Sequence, residues 1–228
     1  MNETGDIAIT WRYVPMGEAA LLVEGMPGLP LTNRYVLALA RTLDALALPG
    51  VSPAVPAISS LLLMFDPLVL DYVELCEQVH ALLDNLEPAP AIPARVVDIP
   101  VTYGGAAGPD LDEVAAALGL APAELVAIHT AEVYRVMMIG FTPGFPYIGP
   151  LPDRLLVPRL TTPRAAVPAG SVAIAAGLTG IYPARLPGGW HLIGHTTLLL
   201  FDPAATPPAT LEPGDGVRFV PLPTGVLP

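Results

Sequence analysis

Two arginines in the stretch VPRLTTPRAAVPAGS (residues 157–171), Arg159 and Arg164, each follow a proline. Proline fixes φ, so side chains beside it lose less freedom when they bind something. A guanidinium fork matches carboxylate or phosphate geometry. The pair is expected to converge on one small anion. The stretch itself carries almost no helix or strand pattern. It ends at Ser171, which lacks a G-x-S-x-G setting and so reads as a hydrogen-bond donor rather than a nucleophile.

Two further loops have the composition of a binding site. In GFTPGFPYIG (140–149), Phe141, Phe145 and Tyr147 sit among three glycines and two prolines. Rings on stiff turns can wall a pocket. In GLTGIYPARLPGGW (177–190), Thr179, Tyr182, Arg185 and Trp190 surround Gly180, Gly188 and Gly189. The Gly188-Gly189 pair could present backbone N–H groups to an oxyanion. It is not a G-x-G-x-x-G and no helix follows, so a dinucleotide site is unsupported. His191 and His195 are four residues apart, with no third ligand beside them, so no metal site is expected. His129 closes a helical pattern, as a C-terminal cap or a general acid/base.

Charge narrows the partners. The 228-residue chain has a net charge of −11, which argues against nucleic acid and anionic membranes. Between His129 and Leu200 there are five arginines and only Glu132 and Asp153 as acids. A positive region in a negative chain points to a small anion. Every basic residue is arginine. Without lysine there is no Schiff base, no P-loop lysine and no biotin attachment. The single cysteine, Cys76, lies in an apolar helical pattern and reads as a core residue. The start, MNETGDIAIT, has no basic-then-apolar leader, and apolar runs such as LLLMF are short. A cytoplasmic protein is expected.

The elements that must position these residues fall into two parts. Residues 7–14 and 19–24 read as strands, 33–48 as a helix ended by Pro49-Gly50, VSPAVP and SSLLLMF as extended chain, and 71–86 as a second helix opened by Asp71 and Glu74. That order reads as a compact α+β sandwich. EPAPAIPAR (87–95) looks like a semi-rigid linker, which divides the chain into residues 1–90 and 91–228. The second part opens with the strand VVDIPVTYGG. A short helix follows, with Asp110 as N-cap, Glu113 three later and Gly119 past its end. The next helix, APAELVAIH, has Pro122 in its first turn. VYRVMMIGF, SVAIAA, WHLIG, TTLLLF and GVRFV then read as short strands. Residues 140–194 hold nine glycines and nine prolines, which suggests strands joined by tight turns in a closed or nearly closed β-barrel.

HTAEVYRV, GFTPGFPYIGPLP, VPRLTTPR, VPAGSVAI, TGIYPARLPGGWHLIG and LFDP together resemble the family of the 5-oxoprolinase B component. That family also takes in Kip-type kinase inhibitors and the first subunit of allophanate hydrolase-type enzymes. The resemblance is collinear over nearly the whole chain. It implies an α+β architecture: a ferredoxin-like N-terminal domain, then a cyclophilin-like β-barrel. It further implies a 5-oxoprolinase subunit of an ATP-dependent hetero-oligomer, inactive without two partners, the carboxyltransferase-type C component and the A component. ATP would belong to the assembled complex, with Mg only as its counterion. On that reading Arg159 and Arg164 hold carboxylate and phosphoryl oxygens, and Phe141, Phe145, Tyr147 and Trp190 wall the substrate ring. Ser171, Thr179, Tyr182 and the Gly188 and Gly189 amides donate hydrogen bonds, and His129 carries a proton. The chain departs from relatives at His195 and Thr197, where they often carry Arg and Pro. An inhibitor of a sensor histidine kinase, and half of a urea- or allophanate-type carboxyltransferase, are the alternative functions.

Overall fold

The computed structural model describes residues 9–28 and 30–223. They form two compact units, divided between Ala91 and Ile92.

In the first unit, β1 (Thr10–Pro15) and β2 (Ala20–Met26) lead into α1 (Pro30–Leu46). After it come β3 (Val55–Pro56), β4 (Ser60–Met64) and α2 (Tyr72–Leu83). The antiparallel sheet has the order β1-β2-β4-β3. Alternation decides its faces: Leu21 and Val23 of β2 and Leu61 and Leu63 of β4 are buried against Val36, Leu39 and Leu43 of α1 and Leu75 and Val79 of α2. Asp71 caps α2, accepting from the Glu74 amide at 2.9 Å, as its spacing predicts. Boundaries differ from the periodicity: α1 ends at Leu46, two residues short of Leu48, and β2 runs on to Met26. Helix α1 starts at Pro30 rather than Asn33, because Asn33 is buried and its Nδ2 donates to Ile58 O at 2.9 Å. Helix α2 stops at Leu83, three residues short of Leu86, and only Val55–Pro56 of VSPAVP pairs as a strand. Ile7 and Ala8 of the expected first strand lie outside the described residues. Cys76 is half-buried against this core as a free thiol.

The second unit begins with β5 (Val96–Tyr103), α3 (Leu111–Ala117) and α4 (Pro122–His129). Next come β6 (Val133–Ile139), β7 (Pro146–Gly149), a 3-10 turn at Asp153–Leu155 and β8 (Arg164–Val167). It ends with β9 (Ser171–Ala175), β10 (Leu178–Ile181), β11 (Leu186–Gly188), β12 (His191–His195) and β13 (Gly216–Pro221). Seven strands close a barrel in the order β10-β7-β6-β13-β5-β12-β9, with the hairpin pairing of β9 and β10 completing the ring. Strands β5 and β13 run parallel; the other barrel pairs are antiparallel.

Period-two alternation sorts the side chains. Val172, Ile174, Val101, Ile193 and Val217 join the main core, while Ala173, Ala175 and Leu192 face a second cluster with Phe145, Tyr182 and Trp190. The ribbon β8–β11 adds Val167 and Leu186 to that second cluster. Two expectations need correction. The stretch 157–171 is not free of regular structure, since Arg164–Val167 is β8. TTLLLF is not a strand: Leu200 is buried and packs on the core, but the segment's ladder is a single bridge between Phe201 and Ala209. Among the described residues no helix is long and apolar enough to cross a membrane.

Candidate functional site

The second cluster opens into a pocket of about 280 Å³. Its floor is Phe145, which is buried and has four rings around it, those of Phe141, Tyr147, Tyr182 and Trp190, at centroid distances of 5.1–5.8 Å and steep interplanar angles. Such edge-to-face contacts suit the ring quadrupoles. Tyr147 and Trp190 meet at 5.8 Å and 73°, so they form two walls of a corner. The loop between β6 and β7 shapes the mouth. There Gly144 adopts φ +78°, and Phe141, an exposed ring, holds φ +67°, a conformation that bulky residues rarely adopt.

Arg159 stands at the edge of this pocket. The chain around it is tied at both ends: the Ala176 amide donates to Val157 O at 2.7 Å and the Leu160 amide to Gly189 O at 2.8 Å. Its guanidinium has no ion-pair or hydrogen-bond partner among the described residues. Gly188 and Gly189 also line it, with Gly189 beside Leu160. A Cβ at Gly188 would collide with the Tyr182 hydroxyl, so the Tyr182 ring can lie here only against glycine. Burial raises the Tyr182 phenol above its ordinary value, against weaker opposing pulls from a Trp190 backbone hydrogen bond and from Arg159 and Arg164. Burial raises Tyr147 as well, and Arg159 partly opposes it. Both hydroxyls are therefore neutral donors at neutral pH.

Eight residues singled out in the sequence thus meet here: Phe141, Phe145, Tyr147, Arg159, Tyr182, Gly188, Gly189 and Trp190. Four others do not. Arg164 is not free to join an anion: it donates to Asp110 Oδ1 at 2.6 Å and to Trp190 O at 3.3 Å. Asp110 is correspondingly not a side-chain cap of α3, because its other oxygen accepts from the Leu192 amide at 2.6 Å. His129 is fully buried between Tyr103 and Thr179, at 2.8 and 3.0 Å, where burial lowers its imidazole to about 3. A proton carrier must reach its substrate, and this ring does not. Thr179 is occupied by His129 and by Ala173 O, and Ser171 is buried at the start of β9, outside the lining. His195 donates to Ala169 O and His191 to Pro158 O, each at 3.0 Å. Among the described residues no three His, Cys, Asp or Glu side chains gather as metal ligands. Leu160, Pro163 and Pro187 complete the lining; they lie within the quoted motifs, which assign them no binding role. Their only signal in the sequence is adjacency to Arg159, Arg164 and the Gly188-Gly189 pair.

Residues 11–211 match the family model described as carboxyltransferase domain, subdomain C and D. The chain is 44% identical over 219 residues to an Escherichia coli protein named as the B component of 5-oxoprolinase, covering 94% of this chain and 98% of that one. A protein of the same name from Bacillus subtilis is 37% identical over 225 residues, covering 94% of each. This chain belongs to the 5-oxoprolinase B-component family. Among solved structures, TTHA0988 shares the fold with a TM-score of 0.79 and 39% identity over 92% of this chain, which spans only 41% of that longer protein. A conserved Pyrococcus horikoshii protein is 38% identical with a TM-score of 0.56, covering 93% of this chain and 98% of its own. The Kluyveromyces lactis urea carboxylase matches at a TM-score of 0.78 but 18% identity, over 98% of this chain and 23% of the enzyme. That last likeness is one of fold. In this member of the 5-oxoprolinase family, the barrel carries an aromatic pocket with one cation at its rim that has no partner among the described residues.

Proposed function

We propose that the chain is the B component of an ATP-dependent 5-oxoprolinase, which converts 5-oxo-L-proline, ATP and water to L-glutamate, ADP and phosphate, and that it works only with partner subunits. The observation that carries this is the 44% identity to a protein named as that component over almost the full length of both chains. The chemistry supports it. A lactam amide is unreactive because its nitrogen leaves poorly, and phosphorylating the lactam oxygen activates the ring carbon. This chain contributes the aromatic pocket, where Phe145, Tyr147 and Trp190 wall the ring and the Tyr147 hydroxyl and Gly188-Gly189 segment offer donors.

The partners on this reading are the C and A components, the complex is cytoplasmic, and ATP binds in the assembled enzyme. We read the first unit as a ferredoxin-like sandwich and the second as a cyclophilin-like barrel. A carboxyltransferase role has the domain model and the fold of urea carboxylase behind it, whereas the relatives at 37% and 44% identity are named for the hydrolase. The named relatives favour the hydrolase over a kinase inhibitor. Reconstitution tests the proposal: the three components together are expected to release phosphate from ATP only when 5-oxoproline is present, with no turnover when this chain is left out. A complete set without 5-oxoproline-dependent turnover overturns it.

A further inference from the structure

We propose that Arg159 is the residue that selects the substrate, by reading its one carboxylate, and that this pocket holds no nucleotide or phosphoryl group, which another component of the enzyme must present. The inference rests on the 5-oxoprolinase reading and deepens it.

The sequence offers two proline-flanked arginines, enough cation for a carboxylate and a phosphoryl group together. The structure divides them. Arg164 is bound to Asp110 and to the Trp190 carbonyl, leaving Arg159 as the only charged residue in the lining among the described residues. The rest of the wall is rings, prolines, Leu160 and two glycines. A ligand with one negative charge can be matched there by one guanidinium. A triphosphate would bring several charges into an apolar pocket with a single partner, and unpaired charge in such surroundings is strongly unfavourable. The volume, about 280 Å³, lies just under the roughly 300–1,000 Å³ of sites for drug-sized ligands and leaves room for a small ring. The corner of Tyr147 and Trp190 offers one face to stack a flat ring and one to meet its edge. A five-membered lactam bearing one carboxylate fits these demands.

Two arms test the assignment. In the full-length chain with Trp11→Phe, emission reports Trp190 alone, since the sequence has two tryptophans. Titration with 5-oxoproline is expected to change that emission. The uncharged 2-pyrrolidinone should bind about 10- to 100-fold more weakly, as expected for one charge-assisted contact. Inorganic phosphate and ATP should have no effect. Arg159→Gln should bring 5-oxoproline down to the affinity of 2-pyrrolidinone, and Arg159→Lys should recover part of the difference. Binding of ATP or phosphate as tight as that of 5-oxoproline, or an Arg159→Gln protein that still prefers 5-oxoproline, overturns the inference. In the assembled enzyme, Arg159→Gln should raise KM for 5-oxoproline and leave KM for ATP unchanged. A parallel rise in both overturns it too. An assembled wild-type enzyme without turnover would sink the function proposed above, whereas the emission arm would still decide the role of Arg159.

Discussion

His129 shows how one buried side chain can set a pH limit without taking part in chemistry. Thr179 donates its hydroxyl proton to Ala173 O at 3.1 Å, so it can only accept from His129 Nε2; His129 Nδ1 then accepts from Tyr103. The neutral ring is fully satisfied, and a second ring proton would have to displace the one that Tyr103 donates to Nδ1. Burial lowers the folded value to about 3, while an unfolded histidine titrates near 6.5. Between those values the unfolded chain binds the extra proton, so stability is present above about pH 6.5 and is lost as pH falls. The loss from pH 7 to 5 should be about 2 kcal/mol from this residue. His129→Gln should be less stable at pH 7, yet lose about 2 kcal/mol less than the parent on going to pH 5, measured by denaturant unfolding. Equal losses in both proteins would remove His129 as the cause. The glycines give a second test at this scale. In the sequence Gly188 and Gly189 are an equivalent pair, but a Cβ at 188 meets the Tyr182 hydroxyl while one at 189 finds nothing nearer than 3.6 Å. Gly188→Ala should cost about 1–3 kcal/mol by overpacking, and Gly189→Ala well under that. Denaturation midpoints that do not separate the two would contradict the packing. Residue types made the pocket legible; which of two adjacent glycines was required depended on where Tyr182 came to lie.

At the scale of elements, an ion pair adds to the packing that joins the ribbon β8–β11 to the barrel. Arg164, on β8, reaches Asp110 at the start of α3, and Asp110 is bonded to Leu192 of β12 through both its amide and its carboxylate. The same guanidinium holds the Trp190 carbonyl, so the pair fixes one wall of the pocket. Asp110 is buried and the Arg164 side chain is a third exposed, so Arg164→Ala should cost about 1–3 kcal/mol, mainly by leaving the carboxylate unpaired. The emission of Trp190 in the Trp11→Phe background should shift as its wall loosens. Arg164→Ala with Asp110→Ala should destabilise by less than the sum of the two single changes. Strictly additive unfolding free energies would break the proposed link. The sequence hid this arrangement for physical reasons. An aspartate three residues before a glutamate is a normal helix start, and only the arrival of β12 and β8 turned its carboxylate away from α3. Strands β7, β8, β10 and β11 are three or four residues long and contain Pro146, Gly149, Gly180, Pro187 or Gly188, or sit beside Pro163. Too few residues remain to display a period of two. TTLLLF shows an apolar run but pairs only at the bridge between Phe201 and Ala209, so the pattern reported burial rather than a ladder.

Over the whole molecule, each apolar cluster lies within one unit. The first core draws on residues from Trp11 to Leu86, and the two barrel clusters on residues from Val97 to Phe219. The barrel contains its own closure, because β13 at the end of the unit pairs in parallel with β5 at its start through six residues, from Gly216↔Val96 to Pro221↔Val101. The sequence made the barrel class legible through its glycine and proline turns. The β5–β13 partnership was beyond it, since no local pattern links segments so far apart along the chain. The chain between the units is fastened on either side. Ala89 and Arg34 bond reciprocally on one side, and Arg95 reaches Thr210 O at 2.6 Å and Asp215 at 3.4 Å on the other. Between them Ile92 is 81% exposed. Protease should therefore cut first near Ile92, where backbone is accessible and flanking segments are held. A fragment of residues 92–228 should retain a cooperative unfolding transition and the near-ultraviolet dichroism of the Phe145, Tyr147, Tyr182 and Trp190 cluster, because every member of that cluster and every barrel strand lies within it. A fragment that keeps strand dichroism but loses the aromatic signal would mean that the first unit is needed to order the pocket. The two units would then be one cooperative body rather than two.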